Sequence, residues 1–562
     1  MDQPTKPLRS TQRPYRYPNH YTASDFLYGN NGPWPRPAVS HPVGQAPEVL
    51  NIPQQEWDDW QTNVKSFYVE NLPAFTAEAG WYAMPVNSKL FSIDRDNLTA
   101  EIYTADLDDA RFTRLVADGV YSKFLCALDT PDETLFRDQL QDASQEYLKV
   151  DLSCMRVVRK PGKGEYVAPA IVLLARPKQR TAANEFDYKL IAIALMTQKQ
   201  KHGPYSKGDD IQVLTPDNGD AWLLAKYFAL QGCGHRINLI THTIVHFPSD
   251  AINAITKTAL PKSNIVQQLL LPHFYLTLPV NDSVLNGDKS LINPNSMYPW
   301  SPFTAKGNEI RKLLPFAWYG SDYYLDEDDF WQDRVNAYPA FEFSLEVPDY
   351  PSNYGKFLKA YYDPILKFCR EVVQCIPPET EAPDWLEIRR WADHVANWLP
   401  GFPDAGHMDE DTLAKTLAII IWNAAISHSA DHATFHAMFD DYEPVPFILR
   451  TKPPEAGSNS AGKPICNITD TGSARLADQL FFQPHNTTLL IDCGYDFKPN
   501  YADEGKKKSV SATLNKSIST FQAGLREVAK KVEAEGINFG ILLESNNETE
   551  RVEKCLGAGI QY

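Results

Sequence analysis

The spacing of apolar and polar positions changes once along this chain. Up to about residue 200 the apolar positions come in short β-branched and aromatic runs at 90–93, 100–103, 166–175 and 187–196. Turn signals such as Lys160-Pro161-Gly162 and Arg176-Pro177 separate these runs, so the pattern predicts strands. After Asp217-Asn218-Gly219-Asp220 the spacing turns helical. It predicts helices near 220–246, 250–260, 262–280, 353–375, 384–398, 411–439 and 513–535. Residues 413–426 are apolar on nearly every side and predict a buried helix. Two Gly/Ser/Asn/Lys-rich stretches, 453–474 and 499–511, read as loops.

Ahead of the patterned region, residues 1–55 hold 10 of the 42 prolines with little periodicity, which suits an extended arm. The expected organisation is that arm, then one catalytic-sized body over 56–562. Within it, 56–200 forms a mixed lobe with β-strands and 201–562 a helical body, giving a mainly α fold.

Composition narrows the chemistry. A net charge of -17 argues against non-specific nucleic-acid binding, which needs clustered Lys and Arg. The tight basic run, Lys506-Lys507-Lys508, is flanked by Asp503 and Glu504 and reads as a solvated loop. The eight cysteines form no C-x-x-C pair, which excludes a zinc ribbon or a thioredoxin motif. No signal-peptide pattern opens the sequence, and the apolar runs at 170–175 and 190–196 are too short to span a bilayer. A cytoplasmic monomer is therefore expected. Neither G-x-G-x-x-G, a P-loop, G-x-S-x-G nor Glu-x-x-His occurs.

The histidines cluster. His242 and His246 stand four apart, so their imidazoles share one helix face and can reach one ion; His235 lies seven residues earlier, near the same face. Thr243 occupies the place where a zinc protease needs Glu. Taken alone, the pair reads more readily as two satisfied or surface histidines than as a metal site. A second i, i+4 pair, His428 and His432, with His436 one turn on, ends the apolar stretch. Buried histidines in such a place cost free energy unless bonded or ligated. Four imidazoles without thiolate suit redox-active iron or manganese better than structural zinc.

From here the sequence resembles the lipoxygenases. The resemblance rests on segments in the family's order: KLIAIALMTQ (189–198), VLTPDNGDAWLLAK (213–226), LLLPH (269–273) with Asn281, SLIN (290–293), and IIIW (419–422) with His428. It covers about 185–440 well and the flanks loosely. It implies one non-haem Fe or Mn ion held by His242, His246, His428, His432 and the main-chain carboxylate of Tyr562. The H-x3-H spacing is similar to the fungal manganese branch. The implied reaction is dioxygenation of a polyunsaturated fatty acid. A hydrogen atom leaves a bis-allylic methylene, and dioxygen adds to the pentadienyl radical to give a hydroperoxide. Gly287, with Leu291 of SLIN, is implied to steer oxygen. Asn286-Gly287-Asp288 reads equally as a plain turn.

Several positions depart from the family pattern. Asn238 and Phe435 stand where the family has second-layer Gln residues, with His436 as a substitute. Tyr562 replaces an aliphatic end, and Pro248 should break or kink its helix. No N-terminal β-sandwich (PLAT) domain is read. These departures leave room for a lipoxygenase-fold oxygenase with another acyl or natural-product substrate, or for a non-catalytic lipid-binding relative.

Overall fold

The computed structural model describes residues 107–196, 211–278, 338–431 and 488–537 apart from short breaks, with shorter stretches between 303 and 320, at 449–462 and at 556–560. The expected arm over 1–55 and the strands at 90–93 and 100–103 lie outside the described residues.

The first described part is an antiparallel sheet of five strands in sequence order. The strands are β1 (Leu125–Ala127), β2 (Gln145–Asp151), β3 (Ala170–Pro177), β4 (Lys189–Met196) and β5 (Ile211–Leu214). Two of them, β3 and β4, were legible as continuous apolar runs, because both faces of the sheet are covered there. Ile171, Leu173, Ala192, Ala194 and Met196 pack with Phe136 on one side. Val172, Leu174, Ile193 and Leu195 join the main core on the other. Short α1 (Asp109–Ala117) and α2 (Thr130–Leu135) accompany the sheet. Inside β2, Lys149 is buried yet compensated: it pairs with Asp132, with Asp129 at 2.9 Å and with Asp151 at 3.7 Å.

The helical body begins with α3 (Gly219–Arg236). A π-turn over Ile237–Thr241 joins it to α4 (His242–Ala259), and α5 (Ile265–Phe274) follows. Then come α6 (Phe316–Tyr319), α7 (Asn353–Ala360), α8 (Tyr362–Val373), α9 (Asp384–Ala396), α10 (Glu410–Ile421) and α11 (Glu504–Ala534). A second π-turn, Trp422–Ser427, extends α10. Indole N–H groups tie the layers: Trp391 donates to the Thr256 hydroxyl at 3.0 Å and Trp422 to the Leu358 carbonyl at 2.8 Å. The body is mainly α with a small β lobe, as expected from the pattern.

Three local expectations are corrected. Pro248 lies inside α4 without ending it. The Ser249 hydroxyl, next along, donates to the Val245 carbonyl at 2.6 Å. The segment 499–511 is not a loop throughout, since α11 starts at Glu504. Asp503 caps it, its carboxylate accepting from the Lys506 N–H at 2.6 Å, so the three lysines lie in the opening turns of a helix. The predicted helix 353–375 is two helices broken at Tyr361. Among the described residues no helix is long and apolar enough to cross a membrane.

Candidate metal centre

His242 and His246 come from α4 and His428 from the end of the α10 helix, and the structure brings all three together. Their ligand nitrogens all lie within 4.8 Å of one another. His246 Nε2 is 2.8 Å from His242 Nε2 and 3.0 Å from His428 Nε2. His428 is fully buried and His246 nearly so, while His242 is partly exposed.

Local backbone geometry explains the convergence. Both helices carry a π-turn directly before their histidine. The His242 N–H reaches back five residues to the Ile237 carbonyl, and the His428 N–H five residues to that of Asn423. Each π-turn inserts one extra residue and so re-aims the side chains that follow, a device found mainly at functional sites. The same insertion corrects the expectation for His235. A regular helix would keep it on the face of His242, but the π-turn between them moves it away. His235 is buried, its Nδ1 bonded to the Gln231 carbonyl at 2.8 Å and its ring edge-on to Phe303. Burial lowers its pKa to about 4.

Hydrogen bonding alone does not account for the trio. The single in-plane site of His246 Nε2 carries either a proton or a lone pair, and it faces two other imidazole nitrogens. An ion satisfies all three lone pairs. A donor set of imidazoles without thiolate suits iron or manganese better than a structural zinc.

Of the other expected site residues, Asn238 lies one turn before His242, and its amide donates to the Gly234 carbonyl at 2.7 Å within its own helix. His432, Phe435, His436, Gly287, Leu291 and Tyr562 lie outside the described residues.

Two supports around the trio were not read from the sequence. Lys123 donates to Asp431 at 2.5 Å and to the Ser427 hydroxyl at 3.2 Å, and Asp431 also accepts from the Tyr354 hydroxyl. These buried contacts bracket His428 on both sides. The second support is the segment 556–560. Ile560 packs against Val245 and Ala424, neighbours of the two histidine-bearing helical turns. His273, quoted above only as part of LLLPH, bonds this segment: its Nδ1 lies 2.5 Å from the Ala558 carbonyl and its Nε2 3.0 Å from the Tyr495 hydroxyl. A buried histidine after an apolar helix is the signal that could have singled it out. Lys123 and Tyr354 gave no comparable signal.

Two π-turned helices of a mainly helical body thus present an imidazole trio that could hold a metal ion. The comparisons agree. The chain has the lipoxygenase fold, and the resemblance read from its sequence stands. The hydroperoxide isomerase ALOXE3 of Rattus norvegicus is 25% identical over 326 residues, which is 56% of this chain and 42% of that protein. The chain thus matches well under two thirds of that relative. A lipoxygenase solved anaerobically with arachidonate superposes at a TM-score of 0.56 with 17% identity, covering 93% of this chain and 77% of the other. The manganese lipoxygenase of Gaeumannomyces graminis superposes at 0.52 with 14% identity over 85% of each chain. The fungal lipoxygenase of Fusarium graminearum gives 0.53 with 17% identity over 84% of each. No protein-family profile matches the chain.

Proposed function

We propose that this chain is a non-haem metal dioxygenase that converts a polyunsaturated fatty acid to its hydroperoxide. The observation that carries the reading is the convergence of His242, His246 and His428 Nε2 in a lipoxygenase fold. In this reading those three residues hold one Fe or Mn ion, with His432 and the main-chain carboxylate of Tyr562 completing the set. When bound, the ion supplies the one-electron oxidation that removal of a bis-allylic hydrogen atom requires.

The remaining work belongs to the chain. Val245, Ala424 and Ile560 keep a dry apolar wall beside the trio, which protects a carbon radical from water. Lys123 and Asp431 hold the His428 turn in place, so its imidazole needs no rearrangement to bind. Gly287 and Leu291 are the residues assigned to steering oxygen. A second reading is favoured by the name of the rat relative: isomerisation of a lipid hydroperoxide by the same centre.

Elemental analysis and EPR of the purified protein test the metal, and oxygen uptake with the rise of conjugated-diene absorbance on linoleate tests the reaction. Stoichiometric Fe or Mn with diene formation is expected, and His428→Ala should lose both. A metal-loaded protein that consumes no oxygen with linoleate or arachidonate but transforms their hydroperoxides supports the second reading. A protein that takes up neither Fe nor Mn sinks both.

A further inference from the structure

The segment 556–560 is tied to the body by hydrogen bonds at four of its five residues. The Ala558 N–H donates to the Thr488 carbonyl at 2.7 Å, and the Leu490 N–H donates to the Leu556 carbonyl at 2.9 Å. The Gly557 N–H donates to the Ser429 hydroxyl at 2.9 Å, and Ser429 directly follows His428. The Thr277 hydroxyl donates to the Ile560 carbonyl at 3.0 Å. Because the Ala558 carbonyl can only accept, His273 must carry its proton on Nδ1, which leaves Nε2 to accept from Tyr495.

Two backbone features show that this docking is imposed. Leu276, between His273 and Thr277, is the non-glycine residue in the left-handed region among the described residues, with φ 65. A Cβ-bearing residue adopts that conformation only where its surroundings over-determine it. α5 has already ended at Phe274, and the turn through Tyr275 and Leu276 brings the Thr277 hydroxyl to Ile560. Gly559 approaches the backbone of His273 so closely that a Cβ would lie 2.3 Å from the His273 oxygen.

We infer that His273, Thr277 and Ser429 are positioning residues. They form a clamp that fixes residues 556–560 beside the helical turns that carry His246 and His428, and so set the affinity of the centre for its ion. The inference rests on the metal reading given above. His273 and Thr277 touch no metal-facing group themselves; they act through the main chain of Ala558 and Ile560.

The test measures Mn²⁺ affinity by chelator competition, together with amide exchange of Gly557 and Ala558, in the full-length protein. His273→Leu removes the donor to Ala558 and should speed that exchange and weaken Mn²⁺ binding about tenfold or more. His273→Asn places an amide N–H near the position of Nδ1 and should restore both, a rescue that a merely space-filling role would not produce. Thr277→Val keeps shape and removes one hydrogen bond, so it should weaken binding about three- to tenfold; it also serves if His273→Leu does not fold. Unchanged affinity in His273→Leu and Thr277→Val overturns the clamp, as does equal loss in His273→Leu and His273→Asn. A wild-type protein that binds no Mn²⁺ or Fe²⁺ refutes the metal reading instead, and the exchange rates alone then show whether His273 fixes the segment.

Discussion

Gly559→Ala probes the tightest approach in the molecule near the site. The added Cβ would stand 2.3 Å from the His273 carbonyl oxygen, 2.8 Å from its carbon and 3.0 Å from the His273 Cα. All three atoms are backbone, so no side-chain rotation relieves the contact. Non-bonded carbons settle at about 3.5–4.0 Å, so the two chains must part by roughly an ångström. The Ala558–His273 bond, now 2.5 Å, then stretches to the edge of hydrogen-bonding range. Overpacking costs about 1–3 kcal/mol and a buried carbonyl left without its donor about 1–3 kcal/mol more. Replacing Gly by Ala stiffens the unfolded chain, but that gain is only about 0.4–1 kcal/mol. The net expectation is a destabilisation of about 1–5 kcal/mol. Urea unfolding of the metal-free protein, with amide exchange resolved over 556–560, reads it. The reasoning fails if the variant unfolds at or above the wild-type midpoint with the segment's protection intact.

Two further outcomes follow from buried charge. Burial lowers the pKa of His235 and of His273 to about 4, so each is neutral when folded and titrates near 6.5 when unfolded. The unfolded chain therefore binds more protons between these values. Stability is full above pH 6.5 and falls as pH drops toward 4, by roughly 3 kcal/mol for each histidine. His235→Asn should flatten this acid limb in a pH series of urea midpoints; an unchanged slope would show that His235 is not the source. Lys149→Met strands the fully buried carboxylates of Asp132 and Asp151. It should cost about 3–5 kcal/mol at pH 7, read as a shift of the urea midpoint. A loss below about 1 kcal/mol would show that the two aspartates do not depend on Lys149.

The sequence revealed the helical body because its apolar positions keep helical spacing over long stretches, and it revealed β3 and β4 because both faces of those strands are covered. It hid β2, where Gln145, Glu146 and Lys149 interrupt the apolar pattern; Lys149 is buried only because three aspartates surround it, which no local pattern announces. At the site, i, i+4 spacing brought out His242 and His246, and His428 stood out at the end of an apolar stretch. The error over His235 came from counting regular turns across a segment that is not regular. The clamp was legible only as the family-like LLLPH, because contacts between His273 and Ala558 join parts of the chain 285 positions apart.

The π-turns give the site a property that lies in arithmetic instead of in residue type. Deleting any one residue from Ile237–Thr241 would let that turn relax to a regular helix and swing His242 and His246 together by about 100° about the axis. Both histidines would survive in the sequence, still four apart, and face the wrong way. The same holds for His428 and the turn at Trp422–Ser427. For this protein, length between landmarks is itself part of the centre, and a chain that keeps every histidine but loses one residue of either insert should no longer bring the three imidazoles together.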